Sequence, residues 1–176
     1  MVVDFLKFNE KTIGDAHPLP DITEILDRLR QSKYFTCLVM VTGYHQIELE
    51  PGEGSKTAFS TKQGHWEYLR LPFGLKTAPA TFQKMMNSVL SGLKGTHCFV
   101  YLDDIVIYAR SLAEHDVKLR EVLDRLRTYK LQPEKCEFLR KEVSYLGHQI
   151  TEAGVRPDPQ KVAAISDSPP PSIRDS

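Results

Sequence analysis

What the chain has little of narrows its possible roles. No apolar run approaches the ~20 residues that a membrane-crossing helix needs, and no basic-then-apolar leader follows Met1. The expectation is an intracellular protein, cytoplasmic or nuclear, without a targeting signal and without a membrane partner. Cysteine is scarce: Cys37, Cys98 and Cys136 are odd in number, far apart and lack the paired spacing of a zinc site. That excludes a disulfide framework and suits a reducing compartment, where a thiol packs as a small hydrophobe. An excess of either charge is absent too, with 23 basic and 23 acidic residues. The balance counts against a free-standing nucleic-acid binder, although not against a segment of a larger one. Internal repeats are missing, and the one biased stretch is Ser168-Pro169-Pro170-Pro171.

What remains is a chain of 176 residues with 41% hydrophobic content, enough for one domain with a real core. Val2–Phe5 reads as a strand and Asn9–Thr12 as a turn, followed by a stretch kept extended by Pro18 and Pro20. Asp21 with Glu24 signals a helix start, and Ile22, Ile25, Leu26 and Leu29 give that helix an apolar stripe. A strand is expected at Phe35–Val41, then a half-exposed one where His45, Ile47 and Leu49 alternate with Gln46, Glu48 and Glu50. Turns at Pro51–Gly54 and Lys62–Gly64 separate the strands Thr57–Thr61 and Trp66–Leu71.

Pro79 opens a helix whose face of Phe82, Met85, Met86, Val89, Leu90 and Leu93 closes near Gly95. Its methionines belong to a core stripe rather than a cofactor box. Ser111 and Glu114 form a second capping box before Leu119, Val122, Leu123 and Leu126. A hairpin is expected between Lys135–Phe138 and Val143–Ile150, and Asp158-Pro159 opens a last helix. Helices interspersed among antiparallel strands make the fold α+β.

The chemistry concentrates at Cys98–Ala109. Two short runs rich in β-branched and aromatic residues, apolar on both faces, flank Asp103 and Asp104. Such strands belong deep in a sheet covered on each side, with the acids at the bend of a hairpin. Adjacent buried carboxylates repel each other and are penalised by desolvation, so a hard divalent cation is the natural counter-charge. A surface hairpin with a hydrated acidic tip is the other possibility these residues allow.

Four stretches together add a family. Gly43-Tyr44-His45-Gln46-Ile47, Leu71-Pro72-Phe73-Gly74-Leu75 with Ala78-Pro79-Ala80-Thr81-Phe82-Gln83, Tyr101-Leu102-Asp103-Asp104, and Tyr145-Leu146-Gly147-His148 resemble, in this order and spacing, the reverse transcriptase of gypsy-type LTR retrotransposon polyproteins. The resemblance implies a right-hand polymerase palm with partial fingers, an antiparallel sheet packed on helices, over residues 1–165. Residues 166–176 would form a proline-containing tail, and the thumb would be truncated. It implies RNA-directed DNA polymerase activity on an RNA or DNA template with a primer, with deoxynucleoside triphosphates as substrates. Asp103 and Asp104 would be catalytic and hold Mg²⁺. Tyr44, Phe73, Gly74 and Lys135 would surround the nucleotide, and Leu146, Gly147 and His148 would grip the primer end.

One departure bears on activity. The family places an aspartate five residues before the tyrosine of its Gly-Tyr-His-Gln segment, and this chain has Val39 there. An isopropyl group offers a metal no oxygen, and losing one such ligand is expected to slow catalysis about a thousandfold, at ~1.4 kcal/mol per decade. Leu6 also replaces a common arginine, and the Tyr129–Pro133 linker is shorter than usual. The expectation is a truncated, degenerate copy with impaired catalysis. The alternatives are a non-catalytic module that holds primer and template, or a protein-interaction remnant.

Overall fold

In the computed structural model, which describes residues 3–15 and 17–159, a four-stranded antiparallel sheet organises the chain. Its strands are β1 (Tyr34–Val39), β4 (Cys98–Tyr101), β5 (Asp104–Ala109) and β6 (Glu137–Arg140), in the spatial order β4-β5-β1-β6. Strands β2 (Phe59–Thr61) and β3 (Gly64–Trp66) form a separate hairpin, and β7 (Glu142–Tyr145), β8 (His148–Thr151) and β9 (Gly154–Pro157) a three-stranded sheet. The helices are α1 (Leu6–Lys11), α2 (Ile22–Leu29), α3 (Ala78–Val89) and α4 (Leu112–Arg125).

Period-two alternation along β1, β4 and β5 divides the sheet's side chains between two cores. Leu38, Cys98, Val100, Ile105 and Ile107 face α3 and α4, where they meet Phe82, Met86, Val122 and Leu126. Phe35, Phe99, Val106 and Tyr108 face the other way, onto Ile25, Leu26 and Leu29 of α2 and onto Val143, Tyr145 and Ile150. Both faces are therefore covered, as expected from the runs flanking the acids, which carry apolar residues on both faces. Full burial of each such Leu, Ile or Phe side chain contributes roughly 1.5–3 kcal/mol.

The helix signals hold at atomic level. Asp21 Oδ1 accepts from Thr23 N at 2.8 Å, and Ser111 Oγ accepts from Glu114 N at 3.2 Å. Glu114 returns the bond one residue further back than a standard box, accepting from Arg110 N at 2.9 Å. Helix α3 carries Pro79 in its first turn and ends at Val89, before the expected stop, although Leu90 and Leu93 still pack in the core.

Several expected elements differ. Val2–Phe5 contributes no strand among the described residues; Asp4 Oδ1 instead accepts from Leu6 N and α1 begins, absorbing the expected turn at Asn9–Thr12. The alternating run after Tyr44 is a 3-10 turn over Gly43–Gln46 and then a single bridge between Glu48 and Arg70, because Tyr44 and His45 pack on other rings instead of lining a ladder. The strand expected at Trp66–Leu71 is β3, which ends at Trp66. Strand β6 pairs with β1 rather than with β7, and Val143–Ile150 is itself a hairpin. Thr36 Oγ1 of β1 accepts from Leu139 N of β6 at 3.1 Å where the register slips between Phe35 and Cys37. The proline-containing tail and nearly all of the last expected helix lie outside the described residues.

Candidate active site

The site is built at one end of the four-stranded sheet. Tyr101 pairs with Asp104, so the β4–β5 hairpin closes through only two residues, Leu102 and Asp103. The acids thus divide: Asp103 sits in the turn, and Asp104 is the first residue of β5. Lacking the glycine such a turn favours, the chain puts Leu102 into the left-handed region at φ 51°.

The turn is docked against the segment after β1. Met40 N donates to the main-chain oxygen of Asp103 at 3.0 Å. The Asp103 carboxylate enters a niche that exists because residue 43 is glycine. A Cβ there would overlap Oδ1 and stand 2.7 Å from two ring atoms of Phe82. Among the described residues, Asp103 Oδ1 is the buried side-chain oxygen without a hydrogen-bond partner. Burial first, and the Asp104 charge second, push the Asp103 carboxyl above its ordinary value.

Val39 stands directly across the β1–β5 ladder from Asp104. Its main chain is fully used, with N donating to Cys136 Sγ at 3.4 Å and O accepting from Gln132 N at 2.8 Å. At this position, across the ladder from Asp104, the side chain presents only methyl groups. Glu48 does not substitute, since it is exposed and paired with Arg70 at 2.7 Å. No group of three or more His, Cys, Asp or Glu side chains that could hold a metal occurs among the described residues. The unpartnered Asp103 oxygen and the Asp104 carboxylate are the hard oxygen donors that would hold a Mg²⁺ ion. The donor set falls short of three carboxylates.

Aromatic rings wall this corner. Tyr44 lies between Phe73 and Phe82, with ring centroids 5.0 and 5.6 Å away, and His45 meets Phe73 at 4.9 Å. Burial and then the Asp103 charge raise the Tyr44 phenol above its ordinary value, as its place beside the carboxylate requires. Phe73 remains 41% exposed, so its ring is open to a ligand. Gly74 (φ 90°) follows in a loop held by Asn9, whose Nδ2 donates to Gly74 O at 2.7 Å and whose Oδ1 accepts from Lys76 N at 2.8 Å.

Leu146 and Gly147, both at positive φ, form the two-residue turn between β7 and β8, and His148 Nδ1 lies 3.1 Å from Leu146 O. Tyr145 ties this hairpin to the acids by donating from its hydroxyl to Asp104 O at 3.4 Å. Lys135 is exposed at the end of a short 3-10 turn, one residue before the cysteine that meets Val39. The structure thus gathers Asp103, Asp104, Val39, Tyr44 and Phe73, reaches Asp104 from the β7–β8 hairpin through Tyr145, and places Lys135 only as the chain neighbour of Cys136.

Sequence reasoning missed four contributors. Gly43, Gln46 and Gln83 fall inside the family motifs but carry no role that the sequence reveals, and Asn9 reads as a turn residue. A cleft of about 620 Å³ adjoins the site, lined by Thr42, His45, Gln46, Arg70 and Lys130 among others. A second cavity, about 580 Å³, lies at the opposite end of β5 around Tyr108, Arg110 and Lys118.

Comparison with known proteins agrees with this geometry. The profile of the family described as reverse transcriptase (RNA-dependent DNA polymerase) matches residues 1–150. The Pol polyprotein of transposon 297 from Drosophila melanogaster is 51% identical over 174 residues, covering 98% of this chain and 16% of the relative. The corresponding polyprotein of transposon gypsy, from the same organism, is 40% identical over 175 residues, or 97% of this chain and 17% of the relative. The chain therefore spans about a sixth of the length of these relatives. Among solved structures, a foamy viral protease-reverse transcriptase in complex with double-stranded DNA superposes with a TM-score of 0.88 at 26% identity, over 97% of this chain and 30% of that one. The same viral protein with an RNA/DNA hybrid gives 0.85, also at 26% identity, over 97% and 23%. The acids at the hairpin turn, the tyrosine beside them, and matches over nearly the whole length converge: the chain belongs to the reverse transcriptase family.

Proposed function

We propose that this chain is the palm with partial fingers of an RNA-directed DNA polymerase from a retrotransposon polyprotein, and that it polymerises poorly because residue 39 is valine. It would act on a primer paired to an RNA or DNA template, with deoxynucleoside triphosphates as substrates, in the cytoplasm or nucleus. The observation that carries this reading is the buried, unpartnered oxygen of Asp103, set beside Tyr44 and Asp104 with Val39 opposite. Asp103 and Asp104 would hold Mg²⁺, which when bound acidifies a hydroxyl and neutralises a triphosphate. The side chains of the site then have separate tasks. Tyr44, braced by Phe73 and Phe82, would present a flat wall under the incoming sugar and exclude a ribose 2′-hydroxyl by contact. The exposed ring of Phe73, with Gly74 behind it, offers a surface to the incoming base. The 146–148 turn, fixed to Asp104 through Tyr145, supports the primer end. Lys135 supplies positive charge towards the triphosphate.

The test is primer extension on an RNA template with Mg²⁺ and with Mn²⁺. It compares the unaltered chain, Val39→Asp and Asp103→Asn. Val39→Asp should extend about a thousandfold faster than the unaltered chain, and Asp103→Asn should abolish what activity there is, by the ~1.4 kcal/mol per decade relation. Equal rates for the unaltered chain and Val39→Asp would remove the claim of impairment. Extension unaffected by Asp103→Asn would remove the assignment of the site.

A further inference from the structure

Building on that reading of the site, we infer that Gln46 and Gln83 are positioning residues. They hold Asp103 in its niche by bracing two strained backbone residues, one on each side of it. Those residues are Thr42 at φ 41° and Leu102 at φ 51°, neither of them glycine. A left-handed residue with a Cβ is strained and persists where its surroundings over-determine it.

Each strained residue has a carboxamide beside it. Gln83, fully buried on α3, spans the turn from beneath: its Oε1 accepts from Leu102 N at 2.9 Å and its Nε2 donates to Val100 O at 3.2 Å. Gln46 does the corresponding work next to Thr42. Its Nε2 donates to Val41 O at 2.7 Å and to Lys130 O at 2.9 Å, and its Oε1 accepts from Lys130 N at 2.7 Å. Val41 N also donates to Lys130 O, so the side chain closes off a ladder that continues β1 onto residues 130–132. Between the two braces lie the contacts that seat the carboxylate, the Met40 N to Asp103 O bond and the bare face of Gly43. If Leu102 relaxes, Asp103 moves; if Thr42 relaxes, the niche moves. Both glutamines act through the backbone of their neighbours. A methionine of equal length would fill the volume of Gln83 but leave the Leu102 N–H unpaired.

Amide hydrogen exchange on the full chain, read by NMR without metal or nucleotide, tests this. In Gln83→Met, the Met40 amide that docks Asp103 should exchange about tenfold faster, the equivalent of ~1.4 kcal/mol. The amides of Val106 and Ile107 in the middle of β5 should keep their rates. Adding Leu102→Gly should bring Met40 back to within about threefold of the unaltered chain, because glycine takes positive φ without the Cβ penalty. In Gln46→Met the reporter is the Val41 amide, and Thr42→Gly should rescue it. Unchanged reporter amides would overturn the inference. So would equal acceleration of every amide that glycine does not rescue, since that is general loosening of the core. Should Gln83→Met fail to fold, the half-buried Gln46 arm decides. Exchange does not depend on polymerisation, so failure of primer extension and failure of this inference are told apart.

Discussion

Gly43→Ala adds one methyl group at a point where two neighbours already occupy the space. The added carbon would overlap Asp103 Oδ1 and lie 2.7 Å from two ring atoms of Phe82. The two conflicts resolve differently. The Asp103 side chain can rotate out of its niche towards water, which relieves the desolvation that raises its pKa. Phe82 has no such exit: it is fully buried in the cluster containing Leu38, Met86 and Val100. The ring clash therefore carries most of the penalty, in the overpacking range of ~1–3 kcal/mol. For a chain of this size that lowers Tm by roughly 2–4 °C per kcal/mol. Urea and thermal unfolding followed by circular dichroism would measure the loss, and Phe82→Leu supplies the control. Leucine leaves room for the methyl group, so Gly43→Ala should cost less in the Phe82→Leu background than in the unaltered chain. A cost below about 0.5 kcal/mol, on the scale of ordinary surface substitutions, or one that Phe82→Leu leaves unchanged, would refute the steric account of the niche.

Two further outcomes follow from burial. Asp103→Asn should raise stability at neutral pH. A carboxyl whose folded pKa lies above its unfolded value of 3.8 weakens the fold as pH rises from there through the folded value, and the amide removes that slope, as urea midpoints at pH 4 and pH 7 would show. His115 is buried on α4, 3.0 Å from Thr36 Oγ1, and burial pulls its pKa below 6.5. Its unfolded form therefore takes up a proton first, so the contribution of His115 is constant well above pH ~6.5 and is lost as pH drops from there to the folded value. His115→Gln should lack that part of the slope in unfolding measured from pH 8 to 5, and an identical slope in both chains would contradict it.

Residue by residue, what was legible in the sequence was what local chemistry dictates. Asp21 and Ser111 cap helices because a short acceptor followed by an apolar stripe has few alternatives. The strands around Asp103 could be placed because they are apolar on both faces. The failures involve partners distant in sequence. His45–Glu50 alternates like a strand, but its pairing is a single bridge at Glu48, flanked by main-chain bonds joining Ile47 and Leu49 to residues 69–71, and the aromatic rings of Tyr44 and His45 are claimed by Phe73 and Phe82. Strand β6 crosses to β1, a pairing that no local pattern encodes. Within the site, the acids, Val39, Tyr44 and Phe73 were recognisable by motif. Gln46, Gln83 and Asn9 were not assigned roles, since a carboxamide that binds main chain looks like any other polar residue until its partners are known.

Strand β6 also bears on how copies of this chain behave at high concentration. It lies at the rim of the sheet, exposes Phe138 and Leu139, and among the described residues has a strand neighbour in the sheet on one side only. A flat rim of that kind would template sheet-to-sheet growth. Here Leu139 at φ 48°, the register slip opposite Phe35 and Cys37, and the charges of Glu137 and Arg140 make the rim uneven. The irregularity that makes this strand hard to place from sequence also makes its edge a poor template for the strand of a second molecule.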